Sequence, residues 1–284
     1  MRFLFTKLLL AATVACGAAQ TSFAQHYDVL TTSQGGKLIT GGYDDSNNTA
    51  IAPLRVFEGE VVPDTAGDPY LSESPGEPGF RAMDQGFLNN PASMTPDNVY
   101  TALTPNTNLL FDWMPMTIGA DTRNLFFWDG TGSVNFAPVA ASYQLSLTKF
   151  GGGGYTETIN GSDAAIIAGN VIQQSSGTGT VHTHLFTGIG DFNGVDFDAP
   201  AQGFYLYSLR MRMDGFADSD PAFFIFGAYD PFDLTGEALD EFEEAHELAA
   251  GWVEANLVPE PSTAIMAAMA LAGLIGFRRR KRAC

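Results

Sequence analysis

The stretch Tyr205-Leu-Tyr-Ser-Leu-Arg-Met-Arg-Met213 decides the fold. Residues two apart in a strand share a face. Tyr205, Tyr207, Leu209, Met211 and Met213 therefore line one side, and Ser208, Arg210 and Arg212 the other. One apolar and one wet face is the mark of an antiparallel sandwich strand. Tyr143-Gln-Leu-Ser-Leu-Thr-Lys149 alternates in the same way.

Outward from these two stretches, short β-rich runs dominate, separated by Gly, Pro, Asn and Asp clusters. The runs 27–32, 37–40, 54–62, 109–114, 124–128 and 133–136 read as strands. So do 143–150, 155–159, 171–174, 180–189, 204–213 and 222–228. Gly35-Gly36 sits where a two-residue hairpin turn would join the first pair. Gly151 to Gly154 lies between two strands, so it reads as a hairpin loop and not as a phosphate cradle, which needs a following helix. Residues 63–108 are rich in proline and lack periodicity, the signature of a long irregular insertion. No repeat of solenoid or propeller length is visible.

One helix stands out. Thr235 is placed to cap it, Glu237, Asp240 and Glu241 load its first turns with the sign the dipole favours, and the run reaches Asn256. Leu239, Phe242, His246, Ala249, Ala250 and Val253 share a face that should dock on a sheet. The expected fold is mainly β: an antiparallel β-sandwich of about ten strands over residues 25–257, with one C-terminal amphipathic helix and then a short transmembrane helix.

The two ends of the chain carry addresses. Arg2 and Lys7, the apolar run 8–17, and the small residues Ser22 and Ala24 have the layout of a secretory signal peptide over 1–24, with signal peptidase as the processing partner. A lipoprotein reading around Cys16 is opposed by Thr13, where a larger aliphatic residue would be expected. At the other end, the uncharged run 264–277 would make a helix of only ~21 Å at ~1.5 Å per residue, short of the ~30 Å hydrocarbon core. Arg278, Arg279, Arg280, Lys281 and Arg282 then keep the end cytoplasmic, leaving the body outside the inner membrane. Pro259-Glu260-Pro261 lies just before this run, and its prolines hold an exposed, extended tripeptide. An ordinary single-span anchor is the plain reading of such a tail. The tripeptide, short span and basic end together resemble a PEP-CTERM sorting signal over 258–284. That resemblance implies transient anchoring in the inner membrane and recognition at Pro259, Glu260 and Pro261 by exosortase, a membrane-embedded cysteine protease. Release to the cell surface, outer envelope or exterior of a Gram-negative-type bacterium would follow.

Between the ends, seven basic residues stand against 31 acidic ones, a formal charge of −24 for residues 25–258. Such a body repels nucleic acid and anionic lipid. Both cysteines, Cys16 and Cys284, fall in the terminal segments, so the body has neither a disulfide nor a thiolate metal site. About 230 residues suffice for a core that replaces them.

Four histidines are the candidates for chemistry: His26, His182, His184 and His246. In Val181-His182-Thr183-His184 the two imidazoles share a strand face, and nitrogen donors at ~2.0–2.1 Å suit zinc or copper. His246, on the apolar stripe of the helix, is the candidate third ligand, and His26 the fourth. Metal affinity would then fall as pH drops through about 6. The competing reading of His246 is a core residue bonded to a backbone carbonyl. His26-Tyr-Asp-Val, Lys37-Leu-Ile-Thr-Gly-Gly, Leu125-Phe-Phe-Trp-Asp-Gly, His182-Thr-His-Leu and Ala245-His-Glu are similar to a group of PEP-CTERM proteins with a branch repressed by a zinc-uptake regulator. The similarity implies metal handling at the envelope, with the four histidines as candidate ligands. Calcium is not expected, because Asp191 to Asp198 reads better as a surface turn: its sixth position lacks Gly, and Gln202 stands where a bidentate Glu belongs. Asp214, Asp218 and Asp220 either bind calcium or solvate a loop. Trp113, Trp128 and Trp252 read as core. No catalytic nucleophile motif is present, and no carboxylate pair is singled out.

The functional expectation is thus a non-enzymatic exported protein that binds zinc or copper. The alternative is a structural or adhesive matrix protein without a metal site, and an exopolysaccharide or a metal ion is the expected ligand. A carbohydrate-active enzyme using unassigned carboxylates is the third reading.

Overall fold

The computed structural model describes residues 28–44, 49–63, 80–82, 86–89, 101–149, 154–194, 197–231 and 233–258. The signal segment, His26, Pro259-Glu260-Pro261 and the apolar run 264–277 lie outside the described residues.

The long central strand β18 (Gly203–Met213) organises the larger sheet. On one side it pairs with β19 (Ala222–Ala228); on the other it pairs with β10 (Leu125–Trp128) along its first half and β7 (Asn108–Trp113) along its second. The path runs β11 (Ala137–Pro138), β10, β18, β19, β4 (Val56–Pro63), β5 (Phe80–Ala82), β16 (Phe186–Phe192), β12 (Tyr143–Lys149), β13 (Tyr155–Asn160). β14 (Ile167–Gln174) lies outside β7, and β17 (Phe197–Asp198) outside β16. The sheet curls until its far edges approach: Lys149 Nζ donates to the Ile172 carbonyl at 2.6 Å, and Asn170 Nδ2 to Glu157 Oε1 at 3.3 Å. Inside the curl, Phe111, Trp113, Leu145, Ile189, Tyr207 and Phe224 share one buried core.

A second, five-stranded sheet has the order β15 (Val181–His184), β6 (Gly86–Asn89), β1 (Asp28–Gln34), β2 (Lys37–Asp44), β3 (Thr49–Ile51). It contributes Val29, Leu38, Phe87 and Val181 to the same core. The β1–β2 hairpin closes through Gly35 and Gly36 at φ +59° and +81°, the left-handed pair a two-residue turn of this kind demands. A separate hairpin joins β8 (Met116–Ile118) and β9 (Asp121–Arg123).

The mainly β reading with one C-terminal helix holds, but the described residues form nineteen strands where about ten are expected, several of them only two to four residues long, and four further details differ. Two pairings, β4 with β19 and β1 with β6, are parallel, which the long stretches of chain between their members permit. The single run 180–189 is two strands. At Leu185, buried to 1% exposure, the chain leaves the smaller sheet and enters the larger one. Residues 133–136 form no strand: Gly130 and Gly132 adopt φ +81° and +68°, and pairing starts only at Ala137. The helix α1 (Glu237–Leu257) begins after Gly236 and not after a Thr235 cap; Gly236 sits at φ +61°, and no side chain caps the first turn.

The docking face of α1 is the expected one, with Ala245 added and Leu239 only half-buried at its start: Phe242, Ala245, His246, Ala249, Ala250 and Val253 are buried. They pack on Phe204, Leu206, Phe223 and Ile225, which point away from the main core. The sheet is thus covered on both faces where α1 lies.

Candidate functional site

β15 is an edge strand, and its burial alternates. Val181 is buried, His182 and His184 are exposed, and their ring centroids lie 5.5 Å apart. The His182 N–H donates to Gln173 Oε1 on β14 at 2.9 Å, which pins the strand beneath the pair. Two exposed imidazoles on one rigid strand provide two nitrogen donors.

His246 does not join them. It is 3% exposed within the α1 interface, its ring 5.1 Å from that of Phe204, and its Nε2 lies 3.1 Å from the Ile225 carbonyl. In the tautomer protonated at Nε2 it donates there, a bond between helix and sheet. No group of three or more His, Cys, Asp or Glu able to hold a metal ion occurs among the described residues.

The acidic loops are also engaged. β16 and β17 pair across Asp191↔Asp198 and Phe192↔Phe197, so this stretch is a hairpin. Asp218 lies 3.3 Å from Arg210 Nη1, and Asp220 lies 2.7 Å from Lys37 Nζ. Asp112, 3% exposed on β7, accepts from Arg210 Nη2 at 2.6 Å and has Arg212 Nε at 2.8 Å. Glu58 on β4 behaves differently. Burial, with Glu247 and Glu254 of α1 nearby, pushes its carboxyl up to about 7.

A groove of about 390 Å³ opens beside β10, lined by Phe127, Trp128, Asp129, Thr131, Ser133 and Asn135. The Thr131 N–H and Oγ1 donate to Asp129 Oδ1 at 2.9 and 2.8 Å, holding that carboxyl below the usual range, and Trp128 Nε1 donates to the Thr131 carbonyl at 3.2 Å. Thr131, Ser133 and Asn135 are exposed. Val134 and Phe136 turn inward onto the α1 side of the sheet, Phe136 against Trp252 at 5.5 Å. This groove is not among the sites expected from the sequence. Its signal is the spacing of Asp129, Thr131, Ser133 and Asn135 two apart, with glycines between the first three.

The body ends where α1 ends. Leu257 and Val258 still pack against the helix-side core, and Val258 is already extended. A folded, mainly β body delivered with a C-terminal address is the class of protein this defines. The address is a specific one: residues 257–282 match the model of the PEP-CTERM protein-sorting motif. The chain therefore carries an exosortase sorting signal, which implies export, transient membrane anchoring before processing, and processing by exosortase. No described helix is long and apolar enough to cross a membrane. No curated protein and no solved structure matches the chain.

Proposed function

We propose that the body is a non-catalytic structural or adhesive component of the bacterial envelope or extracellular matrix, delivered by its sorting tail. The observation that carries this reading is the direct junction between the folded domain and the address. α1 packs along the sheet to Leu257, and the sorting motif begins at that same residue. The signal therefore handles the whole domain as cargo, and processing leaves a compact body outside the membrane. Its charge of −24 favours solvation and cation-screened association over contact with anionic surfaces. Cell fractionation tests the reading. The processed protein should be retained by the cell surface or matrix, and a Pro259→Ala/Glu260→Ala/Pro261→Ala variant should accumulate unprocessed in the inner membrane. Quantitative recovery of the processed protein as a free solute in the medium would refute it.

A second reading is favoured by the pair on β15. His182 and His184 offer zinc or copper two imidazoles 5.5 Å apart, with water or another molecule completing the shell. The resemblance to the zinc-regulated group supports it, and His246, bonded to the sheet, stands outside it. Calorimetric titration with zinc and copper should show binding that His182→Ala/His184→Ala removes and His246→Ala leaves in place. Absence of binding in the unmodified protein would refute it.

A further inference from the structure

We infer that the groove beside β10 is a binding site for a neutral polysaccharide, an inference that rests on the matrix reading above and names its partner. Its polar lining is one carboxylate, one carboxamide and two hydroxyls: Asp129, Asn135, Thr131 and Ser133. That set both accepts and donates hydrogen bonds, as a ligand covered with hydroxyls requires. Phe127, half-buried with its ring packed on Tyr205 at 4.8 Å, gives the lining a fixed apolar edge. The volume, about 390 Å³, lies in the range of small-ligand sites.

Charge narrows the choice further. None of the lining residues is basic, so a phosphate, sulfate or uronate group finds no counter-charge, and the body's charge of −24 repels an anionic polymer. Asp129 is the single carboxylate, too few for a hard cation. A neutral, hydroxyl-rich chain is the chemistry left.

The groove is also built before a ligand arrives. Asp129 is fixed by both Thr131 donors, and Trp128 is stacked on Phe204 at 5.5 Å. Phe136 is seated between Trp128 and Trp252. Little conformational freedom is lost on binding, which favours affinity. Its shallow form suits the middle of a chain rather than one enclosed monosaccharide.

Affinity electrophoresis of the full-length chain tests this, in a polyether detergent that carries no sugar. Native gels would contain dextran, hydroxyethyl cellulose, laminarin or galactomannan, with alginate as an anionic polymer and oligolysine as a cationic peptide. At least one neutral glycan should retard the protein, and alginate should not. Ser133→Ala and Asn135→Ala, both at exposed positions, should each weaken retardation about tenfold, as expected for one lost hydrogen-bonding group. Circular dichroism and the melting temperature should stay unchanged. No retardation by any neutral glycan, retardation that survives both substitutions, or binding of oligolysine alone would overturn the inference. Matrix retention without glycan binding would defeat this site and leave the matrix reading standing; glycan binding by a protein found free in the medium would do the reverse.

Discussion

The two halves of β18 share one inner face and differ on the outer one. Along Gly203 to Leu209 every residue is buried, because α1 covers the outer side of the first half, where Phe204 and Leu206 lie. From Arg210 to Met213 burial alternates, with Arg210 and Arg212 on the wet side around Asp112. A strand covered on both faces reads as a continuous apolar run, and one covered on a single face reads as alternation. The change from Phe-Tyr-Leu-Tyr to Leu-Arg-Met-Arg-Met therefore records where the helix stops.

The shared inner face should give the largest effect. Tyr207 is 1% exposed, and its ring lies 5.1 Å from Phe224 and 5.8 Å from Phe226. Tyr207→Ala removes a large buried ring and should cost about 3–5 kcal/mol in denaturant unfolding. A cost below about 1 kcal/mol would show that this face is not the common core of both halves.

On the helix-covered side, pH sharpens the contrast. Glu58 titrates near 7 in the fold, against 4.5 as its ordinary value, because its half-buried carboxyl is desolvated and lies near Glu247 and Glu254. The folded state holds this proton more tightly than the unfolded one. Its contribution is therefore complete below pH 4.5, is lost as pH rises to about 7, and changes no further above that. At about 1.36 kcal/mol per pKa unit, the loss across that window is at most about 3 kcal/mol. Glu58→Gln should flatten this segment of the stability profile; an unchanged slope would remove Glu58 as its cause.

The wet half should respond less. Asp112→Ala strips Arg210 and Arg212 of their shared carboxylate, but their side chains are 25% and 31% exposed and reach water. About 2 kcal/mol is expected, below the cost of orphaning a fully buried charge. Asp112→Asn, which keeps one acceptor, should cost less than Asp112→Ala; a gain in stability in Asp112→Ala would mean that the Asp112–Arg210–Arg212 cluster opposes folding.

How far the sequence could be read follows from the same contrast. Ala222 to Ala228 and the α1 stripe were legible because their patterns are local. The break at Leu185 was not, since Val181 to Ile189 contains no Pro and its only Gly, Gly188, lies inside β16. The switch between sheets there is set by what each half packs against. The groove beside β10 stayed hidden because its polar residues alternate without a paired strand beneath them. For His246, helical spacing correctly gave the buried face, but a face does not say which atom meets the ring. The Ile225 carbonyl meets it.

The three described histidines separate by stability and by metal binding. His246→Ala leaves a gap under α1 and removes the contact with Ile225, so it should lower stability by about 1–2 kcal/mol. His182→Ala/His184→Ala changes two exposed side chains whose strand is held through backbone bonds and Gln173, so stability should stay within about 0.5 kcal/mol. On the metal-binding reading proposed above, binding should divide the other way, being lost with the β15 pair and kept in His246→Ala. If His246→Ala left stability unchanged and abolished metal binding, the helix histidine would be a ligand and its bond to the sheet would not matter to the fold. A protein destabilised by His246→Ala and still binding metal would place structure and chemistry on different elements, in line with the burial of one histidine and the exposure of the other two.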